Sequence, residues 1–241
     1  MMNPILKRTL TGLAVGALVI CAILFIPLWA CPLNIFAIGV FAIWEYCFLY
    51  NKKTKMPEAR DWALLAKFAG YCLGVAVISV GFISLGLIAD RYGDAPCGPF
   101  RLGNVMLLYV IAIVKFSDVG GFAFGLTSAK LMKGGNHKLC PTISPNKSWE
   151  GLFGSIFASC LVSCCFMGAT GFSVVKSLAC GVTAALVGTA GDLVESKFKR
   201  WVGVKDSSTM KITNGMGGFL DMVDSLLFAP AVLYFLMGIE F

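Results

Sequence analysis

Apolar positions along the chain fall into seven long stretches, about residues 10–30, 33–50, 62–89, 103–125, 151–168, 172–190 and 217–238. They lack the short alternating or 3.6-periodic patterns of a soluble core. Crossing ~30 Å of hydrocarbon takes ~20 apolar residues at ~1.5 Å each, and most of the stretches are near that length. The pattern predicts an all-α fold, a polytopic transmembrane helical bundle of about seven spans, with six to nine as the range. The first stretch follows Lys7 and Arg8 and ends in Leu28-Trp29-Ala30-Cys31, which loosely resembles a lipoprotein cleavage box. It is too long for a signal-sequence core and other spans follow it, so a retained helix is expected.

The polar positions separate the two sides of this bundle. With the N-terminus cytoplasmic, the inner segments hold Lys7 and Arg8, then Lys52, Lys53, Lys55 and Arg60, then Lys130, Lys133, Lys138 and Lys147, then Lys197, Lys199, Arg200, Lys205 and Lys211. The outer loops hold only Arg91 and Arg101, with Lys176 beside them, and this asymmetry sets the orientation. The hydrophobic share of 58% and charged share of 14% nearly exclude a soluble fold, and the net charge of +7 is mostly an inner-face charge. Such a face suits anionic lipid headgroups or nucleotide phosphates; no nucleic-acid partner is expected.

No polar domain or low-complexity linker interrupts the apolar stretches, so residues 1–241 read as one membrane domain. Before residue 110 only Glu45 and Lys67 are ionisable groups within apolar stretches. After it come Lys115, Asp118, Glu150, Asp192, Glu195, Asp221 and Asp224, at or near the inner helix ends. Residues 1–102 therefore read as scaffold helices and 103–241 as the catalytic half. Ten cysteines lie mostly in apolar stretches without CxxC or Cys/His spacing, and are taken as small hydrophobes. Cys31 and Cys97 both fall near the outer face, where a bridge is chemically permitted.

Asp221 and Asp224, spaced i, i+3, would project from one helix face, a geometry suited to a metal ion. Two carboxylates buried in a membrane helix would otherwise cost several kcal/mol; the competing reading is a pair that reaches water at the helix end. Asp192 and Glu195 repeat the spacing, with Ser196 and Lys199 on the same face toward Arg200. An intrahelical Glu195–Lys199 pair explains the lysine but leaves Asp192 without a role. Ser144-Pro145-Asn146-Lys147-Ser148-Trp149-Glu150-Gly151 reads as a helix start, with Ser144 as N-cap and Pro145 at the first helical position. A phosphate there would meet backbone N–H groups and the Lys147 ammonium. Gly215-Met216-Gly217-Gly218 would let the backbone approach a ligand closely, or serve helix packing. No Walker loop or dinucleotide fingerprint is present. His137, the lone histidine, lies in a polar loop where solvation is its ordinary role.

Together these segments resemble the phosphatidate cytidylyltransferase (CDP-diacylglycerol synthase) family. The likeness covers about half the chain: Asp118 with Gly120 and Gly121, then Ser144 to Gly151, then Gly191-Asp192 and Glu195-Ser196. It continues through Ser196-Lys197-Phe198-Lys199-Arg200, Lys205-Asp206-Ser207, Gly217-Gly218 and Asp221-Met222-Val223-Asp224-Ser225. The family's closing motif usually carries Pro-Gly-His-Gly-Gly followed by Asp-Arg-x-Asp. Here Thr213-Asn214-Gly215-Met216 replaces its Pro-Gly-His part and Met222 its arginine, while both aspartates stay. Lys211 is the nearest replacement for the lost positive charge.

The resemblance implies transfer of a cytidylyl group from CTP to phosphatidate with release of pyrophosphate, using Mg²⁺, and leaves a second cation open. It implies Asp221, Asp224, Asp118 and Asp192 as metal ligands. Lys147 and Asp206 join Asp192, Asp221 and Asp224 as catalytic residues. Ser144, Lys147, Glu150, Glu195, Ser196, Lys199, Arg200, Lys205, Gly217 and Gly218 fall to substrate binding. It further implies a homodimer in a bacterial inner membrane, in contact with membrane lipids, its active site facing the cytoplasm. Two other readings stay open: a CTP-dependent transferase acting on another lipid, and an ion-coupled transporter, for which carboxylates nearer the midplane and paired inverted halves would be expected. A CDP-alcohol phosphotransferase would need a DGxxAR element, which is absent.

Overall fold

The structure, a computed structural model, describes residues 17, 19–53, 61–132, 135–204, 220 and 223–239, without the side chains of residues 28, 52, 53 and 61–67. Most of it is helical. Helix α1 (Cys31–Lys53) follows a short 3₁₀ turn and is succeeded by α2 (Asp61–Tyr92). A small hairpin of β1 (Pro96–Cys97) and β2 (Phe100–Arg101) leads into α3 (Leu102–Leu131). A second hairpin, β3 (Lys138–Cys140) with β4 (Ser144–Ser148), leads into α4 (Trp149–Cys165). After one helical turn at Met167–Thr170 come α5 (Val174–Val202), a 3₁₀ turn at Asp224–Leu226, and α6 (Ala229–Met237).

Four helices among the described residues are long and apolar enough to cross a membrane: Cys31–Asn51, Phe68–Tyr92, Leu102–Leu131 and Val174–Val202. Trp149–Cys165 and Asp224–Met237 are shorter apolar helical segments. Of the first apolar stretch, residues 19–25 are helical, and much of the remainder lies outside the described residues. Many large apolar side chains face outward, among them Phe36, Phe122, Phe153 and Phe235. Such a surface suits hydrocarbon and not water.

Small residues set the closest helix contact. In a bilayer no hydrophobic force draws helices together, so close packing has to supply the attraction. Gly120 and Gly121 of α3 lie against Gly151 and Gly154 of α4: a β-carbon on Gly154 would fall 2.6 Å from the Gly120 carbonyl oxygen, and one on Gly151 would fall 2.9 Å from that of Gly121. Buried hydroxyls add to the seam. Tyr109 and Ser163 share a 2.8 Å hydrogen bond, and Ser163 Oγ donates to the Ser177 carbonyl at 2.6 Å, joining α3, α4 and α5. Gly154→Val is therefore expected to destabilise the protein by about 1–3 kcal/mol. Gly86→Val on α2, where a β-carbon meets nothing within 4 Å, serves as the comparison. Melting of the two detergent-purified variants checks this, and equal midpoints would show that the α3–α4 seam tolerates the added bulk.

Cys31 and Cys97 are not bridged. Cys31 Sγ lies 3.6 Å from Asn104 Oδ1, and Cys97 Sγ lies 3.7 Å from the Ala169 carbonyl oxygen, so each thiol has its own acceptor and both are free.

Candidate active site

The candidate residues converge where α5 outruns its apolar stretch. The helix continues from residue 190 to Val202 and closes at Gly203, whose φ of +84° suits glycine at a left-handed C-cap. Asp192, Glu195, Ser196 and Lys199 stand at i, i+3, i+4 and i+7, one side of the helix. Ser196 Oγ lies 3.4 Å from Asp192 Oδ1. Glu195 is buried, with Lys199 Nζ at 2.6 Å, so the intrahelical pair forms and turns Lys199 inward. Arg200 is exposed.

Asp192 has a partner that its own helix does not supply. Lys147 Nζ on β4 lies 2.6 Å from Asp192 Oδ2 and donates to the Thr189 carbonyl at 3.1 Å. Its position corrects the expected helix start at Ser144: Ser144 to Ser148 form a strand, and α4 begins at Trp149 with Ser148 as N-cap. The physical reason lies in the competing hydrogen bonds. Ser148 Oγ accepts the Gly151 N–H at 3.1 Å, while the preceding residues pair with Lys138–Cys140. Pro145, which has no N–H to donate, is tolerated in a two-stranded ladder that has only edges. Ser144 and Pro145 are thus neither N-cap nor first helical residue.

Glu150 completes the junction. Its carboxylate accepts the His137 backbone N–H and lies 2.7 Å from His137 Nδ1. These contacts, the imidazole first among them, hold this carboxylate down at about 2 at the polar mouth of α4. His137 therefore ties β3 to the start of α4.

From the far side, Asp224 opens a 3₁₀ turn and so does not sit within a continuous α-helix as its spacing from Asp221 suggested. Its Oδ1 accepts the Ser225 N–H at 2.6 Å. Carboxylate oxygens of Asp192, Glu195 and Asp224 all lie within 4.8 Å of one another. Asp118 stands beside this group: its Oδ2 accepts from Ser225 Oγ at 2.9 Å and from Lys115 Nζ at 3.4 Å, and Lys115 also donates to Ser225 Oγ at 2.8 Å. A cleft of about 550 Å³ runs past Lys115, Asp118, Ser144, Asn146, Lys147, Thr189, Asp192 and Asp224.

Asp221, Asp206, Lys205, Gly217 and Gly218 lie outside the described residues. Lys115, Asn146 and Thr189 join the cleft without having been candidates. Lys115 had a signal, a charge inside an apolar stretch three residues before Asp118. Asn146 had one as well, its place inside the Ser144-to-Gly151 motif, whereas the Thr189 carbonyl had none that distinguishes it from any helix backbone.

The model of the cytidylyltransferase family matches residues 59–239, three quarters of the chain and every candidate above. The chain belongs to the cytidylyltransferase family. It is 38% identical over 172 residues to a protein of Staphylococcus aureus (strain COL) named phosphatidate cytidylyltransferase. Proteins of the same name from Staphylococcus saprophyticus and Staphylococcus haemolyticus are 36% and 38% identical over 172 residues. The matched stretch makes up 70% of this family member and 59% of each relative, so the chain spans less than two thirds of the length of the relatives it matches.

Proposed function

We propose that this chain is a phosphatidate cytidylyltransferase, converting CTP and phosphatidate to CDP-diacylglycerol and pyrophosphate for phospholipid biosynthesis. The observation that carries the reading is the wall on which Lys147 meets Asp192 beside Glu195 and Asp224, in the cleft of a cytidylyltransferase-family member. A phosphate oxygen of phosphatidate attacks the α-phosphorus of CTP, the bond to the bridging oxygen of the β-phosphate breaks, and pyrophosphate leaves with that electron pair. Both reactants are anionic, so the site's task is to hold them together and offset their charge, and no covalent protein nucleophile is needed. In this proposal Lys147 receives a CTP phosphate by exchanging part of its contact with Asp192. Ser144 and Asn146 border the same cleft. Arg200 and Lys205 complete the phosphate-binding set in this proposal.

The donor set fits Mg²⁺. Three carboxylates with oxygens within 4.8 Å of one another are hard ligands, and like charges so close favour a cation between them. Asp192 and Asp224 would hold it with Asp221, and Asp118 would orient the group or serve a second cation. When bound, the metal would supply Lewis-acid stabilisation of phosphate oxygens. CTP and the phosphatidate headgroup are reached from the cytoplasmic face, which is where the proposal puts the cleft. A protein of this kind would work in the bacterial inner membrane.

The experiment is incubation of detergent-purified protein with radiolabelled CTP and phosphatidate, with and without Mg²⁺. Mg²⁺-dependent label in CDP-diacylglycerol is expected. No product from folded protein would reject phosphatidate as substrate, and label appearing with another lipid acceptor would name the replacement.

A further inference from the structure

Glu45 lies on α1, ahead of the residues that the family model matches, yet it touches the acidic segment. It is 3% exposed, and its Oε2 accepts the Leu220 backbone N–H at 2.6 Å. A buried carboxylate needs such contacts to offset lost hydration, and a charge-assisted hydrogen bond to a main-chain N–H fixes backbone as well as side chain. Leu220 directly precedes Asp221, and Asp224 follows four positions on.

Two further contacts grip the same segment from the N-terminal helices. Gly81 of α2 is so close that a β-carbon there would lie 2.9 Å from the Leu227 carbonyl carbon and 3.0 Å from the Leu226 carbonyl oxygen. At the far end Arg91 donates to the Tyr234 carbonyl at 2.7 Å, its guanidinium 4.2 Å from the Tyr234 ring centroid. All three contacts involve main-chain atoms of the segment, so they set its path and height along α1 and α2. The next residue of α1 braces the other carboxylate-bearing element: Tyr46 packs on Phe198 of α5, with ring centroids 4.9 Å apart.

We propose that Glu45 is a positioning residue, whose carboxylate holds the Leu220 N–H and thereby sets where the segment leading to Asp224 enters the active site. It acts through the backbone, as an acceptor, and not as a metal ligand or proton carrier. The kinetic test rests on the proposed cytidylyltransferase activity; the exchange test does not.

Glu45→Gln keeps an oxygen acceptor and loses the charge, whereas Glu45→Ala loses both. Hydrogen-exchange mass spectrometry of the full chain in detergent should show the peptide containing Leu220 exchanging about tenfold faster in Glu45→Ala, and within about threefold of wild type in Glu45→Gln. With CTP and phosphatidate, kcat should fall about tenfold in the alanine variant with KM for CTP moved less than about threefold, and the glutamine variant should restore kcat to within about threefold of wild type. A glutamine variant as impaired as alanine would overturn the proposal, since charge and not acceptance would then matter. Wild-type exchange and kcat in the alanine variant would overturn it too. If the alanine variant does not fold, the glutamine variant decides alone by the same limits. If wild-type protein makes no CDP-diacylglycerol, the activity reading fails while exchange at Leu220 still decides the role of Glu45.

Discussion

Replacing Asp224 with asparagine is expected to lower kcat for CDP-diacylglycerol formation about 100-fold or more, a loss of about 2.7 kcal/mol of transition-state stabilisation. Asparagine keeps the size of the side chain and an oxygen to accept the Ser225 N–H, so the change is close to a pure loss of charge. That charge sits in a group of three carboxylates, of which Asp192 faces Lys147 and Glu195 faces Lys199. Removing one of three neighbouring negative charges relieves repulsion, so without metal the variant should melt no lower than wild type. Mg²⁺ should then raise the melting midpoint of wild-type protein and not that of the variant, because a ligand stabilises only the state that binds it. Lost activity with retained stability separates a role in the site from damage to the fold. An Asp224→Asn protein with wild-type kcat and Mg²⁺ dependence would remove Asp224 from the site.

The long helices were legible because a bilayer demands uninterrupted apolar stretches, and α1, α2, α3 and α5 each contain one. The side of α5 that carries Asp192, Glu195, Ser196 and Lys199 was legible too, since helical spacing fixes which residues share a face. The partner of Asp192 was not: Lys147 is distant in sequence and reaches it from a strand, and no local pattern encodes a contact between separate elements. The start of α4 was misplaced for a different reason. Ser144 precedes a proline and so looks like a cap, and only the pairing of Ser144–Ser148 with Lys138–Cys140 shows that the helix starts later, at Trp149. Glu45 stood out as a charge in an apolar stretch. Its acceptor role could not be read, because the group it holds is a main-chain N–H, identical at every non-proline residue.

Lys147→Ala is expected to lower kcat/KM for CTP about 100-fold, and Asp192→Asn in the same background should cost much less than it does alone. The ion pair itself does not supply an effect of that size. Its side chains are 19% and 32% exposed, so solvent screens the pair and its own contribution to stability is modest. The larger effect comes from what the ammonium faces: without it, Asp192 presents an uncompensated negative charge to an incoming triphosphate, and the cleft loses a cation from the wall where the carboxylates gather. Removing both charges eliminates the repulsion along with the attraction, which is why the two losses should not add. Lys147→Arg provides the companion measurement, since it keeps the charge but replaces a compact ammonium, seated between Asp192 and the Thr189 carbonyl, with a broader planar group. Partial activity in the arginine variant, with KM for CTP raised and KM for phosphatidate unchanged, would assign Lys147 to the nucleotide. A change confined to the lipid KM would move it to the other substrate, and strictly additive losses in the double variant would show that Lys147 and Asp192 act independently.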